Sequence, residues 1–233
     1  MDYQFKYKQE IVKIIMKKFS VIDIGLLLIW ALPAIYLLYS YNQLPNEVPT
    51  HYDISGKANG YSSKNTFLII ELLLMGVAGF TYFLVRFIPV FDPKKQAKYS
   101  DTTYYKLAAG LVVFLTAMSL IIIYAALNNG FKIENFLLPI ISLLFVFIGN
   151  LMNSIKPNYF AGIRTPWTLE SEDNWRATHR LAGKLWVIGG IILTFCLIFL
   201  PTNIKNIVFM IAIGAFVLVP ITYSYYHFRQ KQQ

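Results

Sequence analysis

Charge is scarce in this chain: Asp, Glu, Lys and Arg make up 14% of its 233 residues, while 56% are apolar, against roughly 25% and 45–50% in soluble domains. So little charge beside so much apolar surface excludes a disordered or solvated chain, and a mean hydropathy of +0.50 points to membrane spans. Cysteine occurs once, at Cys196. A single thiol forms no internal disulfide and supplies no zinc or iron–sulfur ligand set, so it reads as a small apolar residue inside a span. Histidine occurs three times, at His51, His179 and His227, divided between distant segments. With no HExxH, GxSxG or Walker pattern, the chain offers no convergent catalytic group and is expected to be neither an enzyme nor a cofactor or metal binder. Acidic residues are outnumbered 12 to 21, for a net charge of +9. The basic excess of cytoplasmic loops accounts for that without a nucleic-acid partner.

Six apolar runs are long enough to cross a hydrocarbon core of roughly 30 Å: Val21 to Tyr39, Phe67 to Ile88, Lys106 to Leu127, Phe136 to Met152, Leu181 to Leu200 and Ile207 to Tyr226. The first is too long for a signal-peptide core and ends in Tyr-Ser-Tyr-Asn, so it reads as an uncleaved anchor. The expected fold is an all-α integral membrane protein. A basic tail (1–20) precedes one six-helix domain (21–227), which is followed by a short tail (228–233). The connections Asn128 to Asn135 and Pro201 to Asn206 are short, predicting antiparallel packing of the third helix on the fourth and of the fifth on the sixth. Orientation follows from the basic residues. Lys57, Lys64, Lys132 and Lys205 lie on one side, and the other seventeen lie on the side that holds both termini. The positive-inside rule makes that side cytoplasmic.

The external loop, residues 41–66, holds Pro45, Pro49, Gly56 and Gly60. It predicts a small structured cap: an extended run from Val48 to Ile54, a Ser-Gly turn, then a second turn at Asn59-Gly60. His51 and Asp53 are expected to hydrogen-bond within the turn. The pattern Pro49, His51, Tyr52, Gly56 and Gly60-Tyr61 resembles a widespread bacterial domain of uncharacterised function.

The cytoplasmic loop, residues 153–180, carries the chain's most distinctive stretch. Gly162 permits a turn, Pro166 stops Arg164-Thr165 from continuing as helix, and Ser171 with Glu172 and Asp173 makes a good helix start. A helix from there runs unbroken into the fifth span and places Trp175 at the membrane interface as a belt aromatic. Arg176, His179, Arg180 and Gly183 fall on one helical face. With Arg164 they make a basic cluster suited to anionic lipid or a partner's carboxylates, or else ordinary anchors around a tight turn.

Asn158, Gly162-Ile163-Arg164-Thr165-Pro166-Trp167-Thr168-Leu169, Trp175, Thr178-His179-Arg180 and Gly183 together resemble the hallmark of the SdpI family of bacterial membrane proteins. The resemblance implies immunity to a secreted antimicrobial peptide of the sporulation-delaying type. It also implies a signalling role in which the membrane protein holds a cytoplasmic autorepressor. Because the segment from Asn158 to Gly183 lies across the bilayer from an external peptide, it is expected to serve assembly or partner binding. A peptide that acts on the membrane collects first at the outer leaflet. There His51, Tyr52, Asp53, Tyr61 and Glu71 are the expected contacts, the tyrosines supplying area and the others polar groups.

Ionisable residues within spans are functional candidates. Glu71 lies near the outer end of the second helix, where it is protonated, paired or facing a cavity. Asp23 and Arg86 share a depth near the inner ends of helices one and two, making a pair plausible, while Lys184 snorkels. A small proton-coupled, peptide or lipid transporter is the alternative reading, although Pro33, Pro139 and Pro220 form no clean repeat. The orientation is tested with single cysteines at positions 57 and 156 in a Cys196→Ser background. An impermeant thiol reagent added to intact cells is expected to label position 57 alone, and labelling at 156 reverses the sidedness.

Overall fold

In the computed structural model, residues 20–53, 58–92 and 100–231 are described. Most of the basic tail and the Ser55-Gly56 turn lie outside them. Helix α1 (Val21–Ser40) starts at Ser20, whose backbone N–H donates to the Asp23 carboxylate at 2.6 Å. A 3-10 turn, Tyr41–Gln43, leads into strands β1 (Glu47–Tyr52) and β2 (Ala58–Ser63). Helix α2 (Lys64–Phe91) is capped by Ser63, whose hydroxyl accepts from the Thr66 N–H. Then come α3 (Asp101–Leu127), α4 (Glu134–Met152), the short α5 (Pro166–Glu170), α6 (Glu172–Phe199) and α7 (Thr202–Gln230). All of these except α5 are long and apolar enough to cross a membrane. The helices outrun the apolar segments that announced them. Hydropathy marks only the part of a helix that crosses hydrocarbon, whereas the hydrogen-bond ladder continues through polar flanks such as Lys64-Asn65-Thr66 and Asp101 to Tyr105.

Two groups of three helices share the structure. Helix α3 packs on both α1 and α2, and α6 packs on both α4 and α7. Two indoles tie neighbours together through backbone carbonyls, Trp30 Nε1 donating to Met75 O at 2.9 Å and Trp186 Nε1 to Phe216 O at 2.8 Å. A shared core of Val85, Ile88, Tyr104, Leu107, Ala108, Leu151, Met152, Ile155 and Trp175 joins the groups at the end distant from the hairpin. The expected neighbours α3 with α4, and α6 with α7, do pack. The most extensive helix contact, however, is between α4 and α6, which are separated by the whole motif segment.

That contact rests on small residues. Ser142 and Gly149 on α4 meet Gly190 and Gly183 on α6, each pair seven residues apart. A Cβ on Gly183 would stand 2.9 Å from Gly149 O, and one on Gly190 would stand 3.1 Å from Ser142 O. The backbones therefore touch where a methyl group has no room. Between apolar helices in lipid, such close approach supplies the van der Waals gain that the hydrophobic effect does not.

Strands β1 and β2 form an antiparallel hairpin, an addition to the expected all-helical fold. Glu47 pairs with Ser63, Pro49 with Tyr61, and His51 with Gly60, with irregularities on both sides of His51. Asn59-Gly60 is thus strand and not a turn. Gly60 is required by a cross-strand approach, because its Cβ would lie 2.9 Å from His51 Cβ. Val48 seats the hairpin in a cluster with Leu44 of the preceding connection and with Leu37, Phe67, Ile123 and Ala126 on the ends of α1, α2 and α3.

Gly183→Ala is expected to lower stability by about 1–3 kcal/mol through overpacking against carbonyl oxygen. Gly76→Ala, which meets nothing within 4 Å, is expected to have little effect. Thermal unfolding of the detergent-solubilised protein, read for both variants, checks the contrast.

Candidate functional site

The motif segment between α4 and α6 is a knot of side chains that satisfy backbone groups. Asn158 is fully buried, and its Oδ1 accepts from the N–H groups of Phe160 at 2.7 Å and Ala161 at 2.8 Å. Its Nδ2 donates to Lys156 O at 2.8 Å and Ala161 O at 3.0 Å. One amide side chain thereby holds a four-residue turn together. Gly162 follows at φ 115°, and a Cβ there would come within 2.5 Å of His179 Nε2. The residue is glycine for both reasons, a left-handed backbone and a ring packed against it.

His179 is 1% exposed. Its Nδ1 faces Trp175 O at 2.8 Å, and its Nε2 lies 3.1 Å from the Ile163 N–H, which donates to it. A carbonyl needs a donor and an N–H needs an acceptor, so the ring is the neutral tautomer with its proton on Nδ1. It stacks on Trp175 with centroids 4.1 Å apart, and Trp175 Nε1 donates to Ile155 O at 2.9 Å. Trp175, also 1% exposed, is therefore a core residue at the junction of α3, α4 and α6 and not a belt aromatic. His179 leaves the basic cluster for the same reason, since both of its nitrogens are occupied internally.

Thr165 caps α5, with Pro166 in the first turn. Its hydroxyl lies 3.1 Å from Ser224 Oγ on α7, while Thr168 Oγ1 donates to Ile163 O at 2.8 Å. Ser171 starts α6 as expected, accepting from Asn174 N at 3.2 Å. Asn174 donates to Ser224 O at 2.8 Å, and Thr178 Oγ1 donates to Asn174 Oδ1 at 2.9 Å. Trp167 packs edge-on against Tyr225. The motif thus binds the start of α6 to the end of α7, and through Ser100, which donates to Ser154 O at 2.7 Å, to the start of α3. Gly183 belongs to the α4 contact already described. Sequence reasoning missed Ser224, Asn174 and Ser100. Ser224 and Ser100 lie far along the chain from the motif, and Asn174, within it, carries no local signal beyond being polar.

The basic residues separate into different settings. Arg164 donates to Tyr159 O at 2.5 Å. Arg176 pairs with Glu172 at 2.6 Å. Arg180 is exposed and lines a cavity with Lys156, Asn153 and Arg176. Asp23 bonds Ser20 and the Tyr82 hydroxyl, and Arg86 lies 3.8 Å from Asp101 and over the Tyr105 ring. The expected pairing of Asp23 with Arg86 is thus replaced by separate partners from α2 and α3.

At the hairpin end, His51 Nδ1 lies 2.5 Å from Asn59 Oδ1 on the facing strand. Tyr61 is 57% exposed and Tyr52 half-buried. Burial, with the neighbouring Tyr61 hydroxyl second, raises the Tyr52 hydroxyl above its ordinary range, so it stays protonated. Glu71 is not on the surface. It is 1% exposed and accepts from the Ser119 hydroxyl of α3, within the helix interface beneath the hairpin. Among the described residues no group of three His, Cys, Asp or Glu is arranged to hold a metal ion.

Trp175→Phe keeps the aromatic packing but leaves Ile155 O without its donor, and Gly162→Ala forces a methyl onto His179. Each is expected to cost about 1–3 kcal/mol. The measurement is the monodisperse fraction by size-exclusion chromatography, where Arg164→Gln, on the exposed rim, is expected to match the parent.

The comparisons with known proteins place this geometry. The model of the SdpI/YfhL protein family matches residues 154–224, which contain the whole motif knot. A second model, a domain of unknown function (DUF1648), matches residues 28–75, from α1 through the hairpin to Glu71. The chain is 26% identical over 195 residues to the immunity protein SdpI of Bacillus subtilis (strain 168), covering 84% of this chain and 88% of that protein. No solved structure matches. The hallmark residues, folded into a single hydrogen-bonded unit that joins α3, α4, α6 and α7, lie within the 154–224 segment that is similar to the SdpI/YfhL protein family.

Proposed function

We propose that this chain is a multi-pass membrane immunity protein that protects the cell from an antimicrobial peptide, and that the hairpin is the surface the peptide meets. Similarity to an immunity protein along most of both chains supports the general role. The observation that carries this reading is the hairpin itself, a two-stranded cap seated by Val48 and presenting His51 and Tyr61 outward. Aromatic side chains on a pre-ordered strand offer contact area with little entropy to lose. Tyr52 and Asp53 complete the surface at the free end of β1. Glu71 contributes from below by holding α2 to α3 through Ser119.

In this reading the hairpin end faces outward and both termini face the cytoplasm, as the distribution of Lys and Arg favours. The motif end is then cytoplasmic. Its buried members, Asn158, Thr165, Thr178 and His179, serve assembly. Contact with a soluble partner such as an autorepressor falls to the exposed Arg164, Arg176 and Arg180, whose charges lie at the surface.

The test is survival under peptide challenge, normalised to the amount of protein in the membrane. Tyr61→Ala, Tyr52→Ala and Asp53→Ala are expected to weaken protection per molecule, with the strongest losing about 2 kcal/mol, roughly thirty-fold in affinity. Val48→Asp is expected to lower the amount of protein instead. Full protection by all three surface variants at normal abundance would remove the hairpin from the mechanism.

A further inference from the structure

Beside the motif knot lies a cavity of about 250 Å³, lined by Asn153, Ile155, Lys156, Pro157, Trp175, Arg176, His179 and Arg180. Its floor is spoken for: the Trp175 indole and both His179 nitrogens bond to the backbone, so these rings form a neutral wall. Its rim is cationic. Arg176 is neutralised by Glu172, whereas Lys156 and Arg180 are exposed and have no acidic partner among the described residues. The Asn153 amide, also exposed at the mouth, adds a third donor. Two free cations and an amide around an apolar floor suit a phosphate oxygen cluster, since guanidinium and ammonium donors match its charge and geometry.

The helix that supplies Arg180 indicates what is attached to that phosphate. From Arg180, α6 continues through exposed Lys184 to Ile188, Ile191 and Phe195, on one face by the 3.6-residue period. Ile188 and Phe195 are each 60% exposed. Cationic at its start and apolar along its length, this face is continuous with the cavity mouth. A free phosphate uses only the first part of it, whereas an amphiphile with an anionic head uses all of it.

We propose that this cavity binds the phosphate of an anionic glycerophospholipid, with Lys156 and Arg180 as its cationic ligands and the exposed face of α6 as the bed for its acyl chains. The lipid's head then fills the gap between the end of α4 and the start of α6, next to the Trp175–His179 stack. The site is independent of the hairpin, so it stands or falls apart from the immunity reading.

The experiment uses the full chain in detergent, with native mass spectrometry of retained lipid. Phosphatidylglycerol and phosphatidylcholine of identical acyl composition are added separately. The parent protein is expected to retain phosphatidylglycerol at least tenfold over phosphatidylcholine, and Lys156→Gln with Arg180→Gln is expected to abolish that preference without shifting the melting temperature. Lys64→Gln with Lys132→Gln, at the other end of the bundle, is expected to leave it intact. The exchange Lys156→Arg with Arg180→Lys keeps both charges and is expected to preserve most of the preference. Inorganic phosphate in the millimolar range is expected not to release the lipid. The proposal is overturned by equal retention of the two lipids, by an unchanged preference in the glutamine pair, or by full release with inorganic phosphate alone, which would make the ligand a free anion.

Discussion

The arrangement of the molecule depends on the backbone contact between α4 and α6. Lipid tails are as apolar as leucine side chains, so burying a leucine between two membrane helices gains little. What holds helices together is the number of atoms in close contact and the polar groups satisfied between them. Ser142, Gly149, Gly183 and Gly190 remove the side chains that would keep the two backbones apart. Once α4 and α6 are in contact, the segment joining them must turn back within a short distance, and Asn158 and Gly162 shape that turn.

A turn so tightly folded at the edge of a bilayer leaves many N–H and C=O groups with limited access to water, each costly if unpaired. The motif answers with side chains that bond to backbone: Asn158 to four groups, His179 to two, Thr168 to Ile163, Trp175 to Ile155. The residues that look most like chemistry in the sequence are therefore the ones most fully used in construction. The features left exposed are the basic rim around the knot and, at the opposite end, the hairpin face.

The hairpin and the knot anchor differently. Val48 is a single apolar plug in a cluster contributed by α1, α2 and α3, and the hairpin's outward side chains are free of that duty. Glu71 shows how depth changes a residue's role. A carboxylate on the lipid-crossing part of α2 is expensive to expose to hydrocarbon, so it is turned inward to the Ser119 hydroxyl. The same glutamate read along the chain lies next to the outer loop and invites assignment to its surface.

The six helices were legible because crossing hydrocarbon demands an unbroken apolar run, a property of composition over about 20 residues that needs no knowledge of neighbours. So were the Ser171 helix start and the Gly162 turn, since capping and dihedral preferences are local, whereas Pro166, read as a helix stop, opens the short α5. Proximity was not legible. The α4–α6 contact, the partners of Asp23 and Arg86, the burial of Trp175 and His179, the inward turn of Glu71, and Lys156 standing beside Arg180 each join residues distant in sequence. Helical periodicity placed His179 and Arg180 on one face but could not say that one end of that face would be covered by Gly162 and Ile163 while the other stayed open. Burial and pairing are properties of what arrives from elsewhere in the chain, and only the packed tertiary structure decides them.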